Sequence, residues 1–210
     1  DRKMTSPWQR FQLSGGDVRV MQLCDAGAAQ QWFERLQREI PWEHHQLRLF
    51  GRAIAAPRLS CWIGDADAVY RYSGTRFEPH PWTPACAELR ARLQALCDEN
   101  YNSVLCNLYR DGKDSMGWHS DNERELGSRP SIASLSFGAS RRFLIRHRRD
   151  PDQRLEIELA PGSLLVMAGD TQRNYRHALP KSAHAPGPRI NLTFRRVAAM
   201  PPAAAMSTDA

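Results

Sequence analysis

The sequence predicts an α+β domain in which two helices flank a β-sandwich or jelly roll. Three observations carry this expectation: two early segments place apolar residues at helical spacing, the period changes to two from residue 103 onward, and turn residues separate the alternating runs. With 210 residues, 41% of them hydrophobic and 25% charged, the chain is long enough for one domain with a real core.

Taken in order, residues 1–14 carry no period and are expected to be loose, so the domain is placed at 15–198. Asp25 is a candidate cap for a helix whose apolar residues Ala29, Trp32, Phe33, Leu36 and Ile40 run until Pro41 stops it. A second helix starts at Thr83-Pro84 and is expected to bury Cys86, Leu89, Leu93, Leu96 and Cys97. The segments "SVLCNLY", "SIASLSFG", "RRFLIRH", "RLEIELA", "GSLLVMA" and "RINLTFRRV" then read as short strands. The tail 199–210 is too poor in large apolar residues to pack and is expected to be loose.

Composition narrows the function classes. No apolar run approaches the length of a membrane span, and no basic segment followed by an apolar stretch marks a secretory signal, so a cytosolic location is expected. The five cysteines form no Cys-x-x-Cys pair and are odd in number, which argues against a disulfide framework or a zinc knuckle. Net charge is +6, and lysine stands only at 3, 113 and 181, so arginine supplies nearly all the positive charge. Arginine's planar fork matches phosphate oxygens and favours a polyanionic partner.

Two stretches carry candidate chemistry. In "RINLTFR" alternation puts Ile190, Leu192 and Phe194 on one face and Arg189, Asn191, Thr193 and Arg195 on the other. In "SVLCNLY" the same rule puts Asn107 and Tyr109 together. A strand facing solvent would show the same pattern. In "GWHSDNERELG", His119 and Asp121 are two residues apart, so in extended backbone both project to the same side, where a distant histidine can complete a two-histidine, one-carboxylate iron triad. His177 follows 58 positions after His119, and then comes the strand with Arg189 and Arg195, whose forks suit a dicarboxylic co-substrate. His44, His45, His80, His147 and His184 lack partners at ligand spacing and read as surface or packing groups.

At this point the sequence resembles the AlkB-type iron(II) and 2-oxoglutarate dioxygenases, most of all the branch that repairs alkylated double-stranded DNA. The likeness covers about residues 40–197 and rests on "LRLFGRAIAAPR", "GDADAVYRYSG", "VLCNLYRDGKDSMGWHSDNERELG", "IASLSFGASRRF", "GSLLVMAG" and "HALP" followed by "PRINLTFR". The resemblance implies a double-stranded β-helix core at 103–197 and a nucleotide-recognition region at about 40–82. It implies His119, Asp121 and His177 as the Fe(II) ligands and the catalytic centre. Asn107, Tyr109, Arg189, Asn191, Thr193 and Arg195 would hold 2-oxoglutarate, with Arg189 on its distal carboxylate.

The same likeness implies substrate contacts from Leu49, Phe50, Gly51, Arg58, Tyr70, Tyr72, Ser73, Asn122 and Glu123. Tyr70 and Tyr72 would line the pocket of a flipped base, Asn122 and Glu123 would face it, and the "LFG" tip would wedge into the duplex. The double-strand branch carries a basic trio between His177 and Arg189, where this chain has "KSAH" with only Lys181 and His184, so strand preference stays open. The run "RRFLIRHRR" offers further phosphate contacts or a solvated face. The implied reaction uses O2 and 2-oxoglutarate to demethylate 1-methyladenine and 3-methylcytosine, releasing formaldehyde, succinate and CO2. A monomer acting on single- or double-stranded DNA, and conceivably on RNA, is expected, with no membrane partner, cytoplasmic in a bacterium and nuclear in a eukaryote. The rival readings are the same chemistry on RNA or a protein side chain, a basic nucleic-acid-binding module without catalysis, and a zinc hydrolase on the same triad.

Overall fold

The computed structural model of the chain describes residues 7–49, 52–72, 75–184 and 187–198. Its elements in chain order are the strands β1 (Gln9–Leu13) and β2 (Gly16–Gln22), helix α1 (Ala26–Glu39), strands β3 (Glu43–Leu49), β4 (Arg52–Gly64), β5 (Tyr70–Tyr72) and β6 (Thr75–Phe77), and helix α2 (Pro84–Cys97). Strands β7 (Ser103–Tyr109), β8 (Met116–His119), β9 (Ile132–Gly138), β10 (Arg141–His147), β11 (Arg154–Leu159) and β12 (Ser163–Gly169) follow. The short helix α3 (Thr171–Asn174) precedes β13 (Tyr175–Leu179) and β14 (Arg189–Arg195).

Both long helices begin where side-chain caps satisfy their first amides. The Asp25 carboxylate accepts from the Ala28 N–H at 2.8 Å, and the Thr83 hydroxyl accepts from the Cys86 N–H at 3.3 Å, with Pro84 opening the helix. α1 buries Ala29, Trp32, Phe33 and Leu36 as the spacing predicts, and Ile40 beyond its end is buried too. α2 buries Cys86, Leu89, Leu93 and Cys97, but Leu96 is exposed. Leu96 lies within about 20° of Leu89 round the axis but stands in the last turn, one residue before the helix ends, where that side of the helix is no longer covered.

The strands make two facing sheets. An eight-stranded sheet has the order β1-β2-β12-β9-β14-β7-β4-β3, and a four-stranded sheet has the order β11-β10-β13-β8; β5 and β6 pair separately. The large sheet is sandwiched. One face packs on α1 and α2 through Leu135, Phe137, Ile190, Leu192 and Phe194, and the other meets the small sheet through Ile132, Phe143, Ile145, Leu165 and Met167. Its middle strands β9, β12 and β14 are therefore buried on both sides, which is why they read as nearly continuous apolar runs with a few polar insertions. This is a jelly roll with helices on its outer face, as the sequence predicts.

Two boundaries differ from expectation. Residues 9–13, placed in a loose segment, form the edge strand β1, paired with β2 from Gln9↔Val20 to Leu13↔Gly16. Phe11 and Leu13 pack against the core between the sheets, and a five-residue strand with two apolar side chains is too short to show a period. The region 40–82 supplies β3 and β4 to the edge of the large sheet beside β7 as well as the small β5-β6 pair. β4 contains Pro57 at the register shift in its pairing with β3, which resumes at Leu59 and Ser60, and from Leu59 on it pairs with β7 as well. The tail 199–210 lies outside the described residues, among which no helix is long and apolar enough to cross a membrane.

Candidate metal centre and adjoining pocket

His119 ends β8 and His177 lies directly opposite it on β13, so antiparallel pairing alone brings the two imidazoles together, with ring centroids 4.2 Å apart. Asp121 follows two residues after His119, and one ligand atom from each of the three residues lies within 4.8 Å of the others. His119 Nδ1 lies 2.8 Å from the Gly117 carbonyl, to which it can only donate, and this leaves Nε2 as the lone-pair nitrogen, 3.8 Å from Asp121 Oδ1. Phe143 packs against the His177 ring at 5.4 Å.

The protonation states suit a cation. Burial would raise the Asp121 carboxyl, but Arg195, His177 and His119 outweigh it and bring it down to about 2. Burial, followed by the charge of His119, pushes His177 down to about 3 against the pull of Asp121. At neutral pH the site therefore offers an ionised carboxylate and a neutral imidazole, the forms that bind a metal. Two histidines and a carboxylate on one side of an ion fit Fe(II) with open positions for other ligands.

Asp121 is held from two directions. Its Oδ2 accepts from Arg195 Nη2 at 3.0 Å in a buried ion pair, and its backbone N–H donates to Gln172 Oε1 at 2.9 Å. Gln172 sits on α3, is almost wholly buried, and directs its amide nitrogen at Met167 Sδ 3.6 Å away. Between the ligands, the Ser120 hydroxyl donates to the Tyr175 carbonyl at 2.6 Å and accepts from Arg148 Nη2 at 2.8 Å. Gln172→Ala is expected to weaken metal binding by about tenfold or more, because partners that orient a ligand contribute on that scale. Titration of the metal-free protein with Mn(II) checks this, and Gln172→Glu, which keeps an acceptor, should recover part of the loss.

The polar face of β14 is buried, and the solvent-facing alternative is excluded: Arg189 is 2% exposed, Asn191 7%, Thr193 8% and Arg195 4%. Register sets Arg189 opposite Tyr109 and Asn191 opposite Asn107 on β7. On the other side β9 supplies Ser136, whose hydroxyl accepts from Arg189 Nη2 at 2.8 Å, and Ser134, whose hydroxyl accepts from Asn191 Nδ2 at 2.7 Å. The Asn191 side-chain carbonyl accepts from Thr193 at 2.9 Å. Arg189 Nε has no hydrogen-bond partner among the described residues. Burial pushes this guanidinium down to about 10, still charged at neutral pH. A buried cation with a spare donor suits a carboxylate.

The substrate candidates are placed unevenly. Arg58 on β4 is buried and donates to Asn107 Oδ1 at 3.2 Å and to the Ser115 carbonyl at 3.2 Å, so it stands beside the β7 polar face. Asn122 is exposed and lines a cleft of about 380 Å3 together with Gln172, Arg129, Asp170 and Arg173. Glu123 is half-buried, and its Oε2 is buried without a donor among the described residues. Leu49 ends β3 and pairs with Arg52 across the hairpin, while Tyr70 and Tyr72 lie two apart on β5. Phe50, Gly51 and Ser73 lie outside the described residues.

Sequence reasoning passed over Ser134, Ser136, Arg141 and Gln172. The serines were within reach, since in "SIASLSFG" the alternation rule already sets them apart from Leu135 and Phe137. Among the described residues no other histidine joins a cluster that could hold a metal: His80 Nε2 lies 2.9 Å from Glu43, and His147 Nδ1 accepts from the Arg149 and Asp150 amides. All five cysteines are free thiols.

Comparison with known proteins agrees with this geometry. Residues 16–195 match the 2OG-Fe(II) oxygenase superfamily. The chain is 39% identical over 202 residues to the mouse (Mus musculus) alpha-ketoglutarate-dependent dioxygenase alkB homolog 3, covering 89% of this chain and 70% of the relative. It is 35% identical over 200 residues to the human (Homo sapiens) DNA oxidative demethylase ALKBH2, covering 90% and 77%. A solved structure of OsALKBH1 superposes with a TM-score of 0.64 at 17% identity, covering 90% of this chain and all of the other, and supports the fold. A triad at the mouth of a jelly roll, beside a buried arginine-bearing strand, thus agrees with relatives well above 30% identity, and the chain belongs to the AlkB-type dioxygenases of the 2OG-Fe(II) oxygenase superfamily.

Proposed function

We propose that the protein oxidatively demethylates N-alkylated bases in DNA, with His119, Asp121 and His177 holding Fe(II), and Arg189, Tyr109, Asn107, Asn191, Thr193 and Arg195 forming the 2-oxoglutarate pocket. The observation that carries it is the Asp121–Arg195 ion pair, which joins the candidate metal ligands directly to the polar face of β14. When bound, iron with 2-oxoglutarate and O2 supplies an oxidant strong enough to hydroxylate an N-methyl group, and the hydroxymethyl product loses formaldehyde. The chain itself binds, orients and shields. Arg189 takes the distal carboxylate, His177 is held neutral by its burial, and the two sheets keep water from the site.

For the base, Glu123 Oε2 is a buried acceptor awaiting a donor, and the exocyclic amino groups of 1-methyladenine and 3-methylcytosine supply one. For the strand, one end of the outer face of the small sheet is cationic, where Arg146 lies between Arg154 and Arg176, while Glu156 and Glu158 occupy the other end. Arg146 stands opposite Arg176 across β10 and β13 and stacks 4.0 Å over the exposed ring of Trp118 on edge strand β8. Like charges directly opposite are unfavourable until a polyanion lies over them. This support for a nucleic acid separates the reading from a protein side chain as substrate.

The test is succinate and formaldehyde release on methylated single-stranded DNA, duplex DNA and RNA at one fixed salt concentration. Release that is independent of every methylated nucleic acid would sink the reading. Phe50→Ala should impair duplex repair far more than single-strand repair, because extruding a paired base costs about a few kcal/mol and a single strand avoids that cost. Equal losses on both substrates would make Phe50 a packing residue.

A further inference from the structure

Two buried guanidinium groups face the ring of Tyr109, and only one of them comes from β14. Arg189 lies 5.3 Å and Arg141 5.8 Å from the ring centroid, and each residue is 2% exposed. Arg141 opens β10 and points inward, while its neighbour Arg142 is exposed. Its bonds go to neutral groups: Nη2 donates to the Pro180 carbonyl at 2.6 Å and the Asp114 carbonyl at 2.8 Å, and Nη1 to the Asp111 carbonyl at 3.2 Å.

No described carboxylate balances this pair of charges at hydrogen-bond distance. The Asp114 carboxylate is taken up by Arg110, at 2.8 Å and 3.0 Å, and Asp111 is exposed with its carboxylate accepting from the Lys113 N–H. Arg141 Nε and Arg189 Nε are both buried without a partner among the described residues. Burial lowers the pKa of each arginine, and the charge of Arg141 lowers that of Arg189 further, against the opposing effect of Tyr109 on both and the weaker one of Asp114 and Asp111 on Arg141. Two buried cations around one ring are unfavourable unless an anion completes the arrangement.

We propose that Arg141 is a positioning and specificity-determining residue for 2-oxoglutarate: with Arg189 it brackets Tyr109 and makes the far end of the pocket require a carboxylate. The three carbonyl bonds fix the guanidinium on the 111–114 turn and on the segment after β13, so its charge stays at the pocket wall whether or not the co-substrate is bound. This rests on the reading that Arg189 and Tyr109 hold the distal end of 2-oxoglutarate.

The probe is the C5 amide of 2-oxoglutarate, which keeps the size of the co-substrate and replaces the distal carboxylate with a neutral group. Binding of each compound to the Mn(II)-loaded protein is measured anaerobically by calorimetry. Arg141→Gln should weaken 2-oxoglutarate on the order of 30-fold, the scale for unit charges roughly 8 Å apart at an effective dielectric of about 20, and should leave the amide nearly unchanged. In turnover with a methylated oligonucleotide the KM for 2-oxoglutarate should rise while kcat holds, and Arg141→Lys should restore part of the preference for the carboxylate. Equal losses for both compounds would mean a merely structural role and overturn the proposal.

Should Arg141→Gln not fold, Arg189→Ala decides the matter in a protein that keeps Arg141. A residual preference for 2-oxoglutarate over its amide supports the proposal, and complete loss of that preference overturns it. If wild type binds both compounds equally, the assignment of the distal end to this wall fails as well, an outcome distinct from a failure of Arg141 alone.

Discussion

His119→Ala and Asp121→Ala are both expected to abolish turnover, but only the second should cost stability. Each removes one of the three proposed ligands to the metal, and a remaining pair cannot hold Fe(II) in one orientation at its ordinary affinity. Their surroundings differ. His119 is half-exposed and makes one hydrogen bond, to the Gly117 carbonyl, so its loss strips little from the core. Asp121 is buried and faces Arg195 at 3.0 Å, so Asp121→Ala takes the carboxylate from a buried guanidinium, a change that costs about 3–5 kcal/mol. Denaturant unfolding of the metal-free variants, with anaerobic Mn(II) titration and succinate release beside it, checks both halves. Succinate release at the wild-type rate in either variant would move the metal elsewhere. Equal stability of the two would mean that the Arg195 pair contributes nothing net.

The sequence was informative where one rule governed a whole element. Alternation in residues 189–195 separates Ile190, Leu192 and Phe194, which meet the helices, from Arg189, Asn191, Thr193 and Arg195, which line the pocket, and the structure keeps that division. It was silent where function breaks the pattern. β8 and β13 carry the candidate ligands His119 and His177, so "MGWH" and "YRHAL" set polar groups on the inward face and do not read as strands. β1 is a short edge, and β4 contains a proline, which argues against a strand until the register shift beside it is seen. Arg141 stood in plain view within "RRFLIRH" but looked like one more arginine of a basic strand. Only the facing sheet shows that it turns inward to Tyr109 while Arg142 and Arg146 turn out. Gln172 needed tertiary structure altogether, since it lies 51 residues from the amide it holds.

Arg189→Ala should remove most of the affinity for 2-oxoglutarate while leaving the metal ligands intact. In wild type the guanidinium is fixed by Ser136 at 2.8 Å and by its place over Tyr109, and burial lowers its pKa without discharging it at neutral pH. Its charge is thus present and poorly solvated before the co-substrate arrives, and the distal carboxylate replaces the water it lost. Removing the guanidinium leaves that carboxylate in a buried pocket with its main counter-charge gone. A loss of about 3–5 kcal/mol follows, or roughly two to nearly four orders of magnitude in Kd. The protein without ligand should suffer far less, because the change also removes a buried cation that is costly to desolvate. The two effects separate in one experiment: melting of the Mn(II)-loaded protein with and without saturating 2-oxoglutarate. Wild type should gain stability with ligand as mass action requires, whereas Arg189→Ala should start near the wild-type melting temperature and gain little at the same concentration. Arg189→Lys should lie between them, since an ammonium supplies the charge but cannot reach Ser136 and the carboxylate with one planar fork. If Arg189→Ala keeps the full ligand-induced shift, the distal carboxylate sits elsewhere, and the polar face of β14 serves the fold rather than the co-substrate.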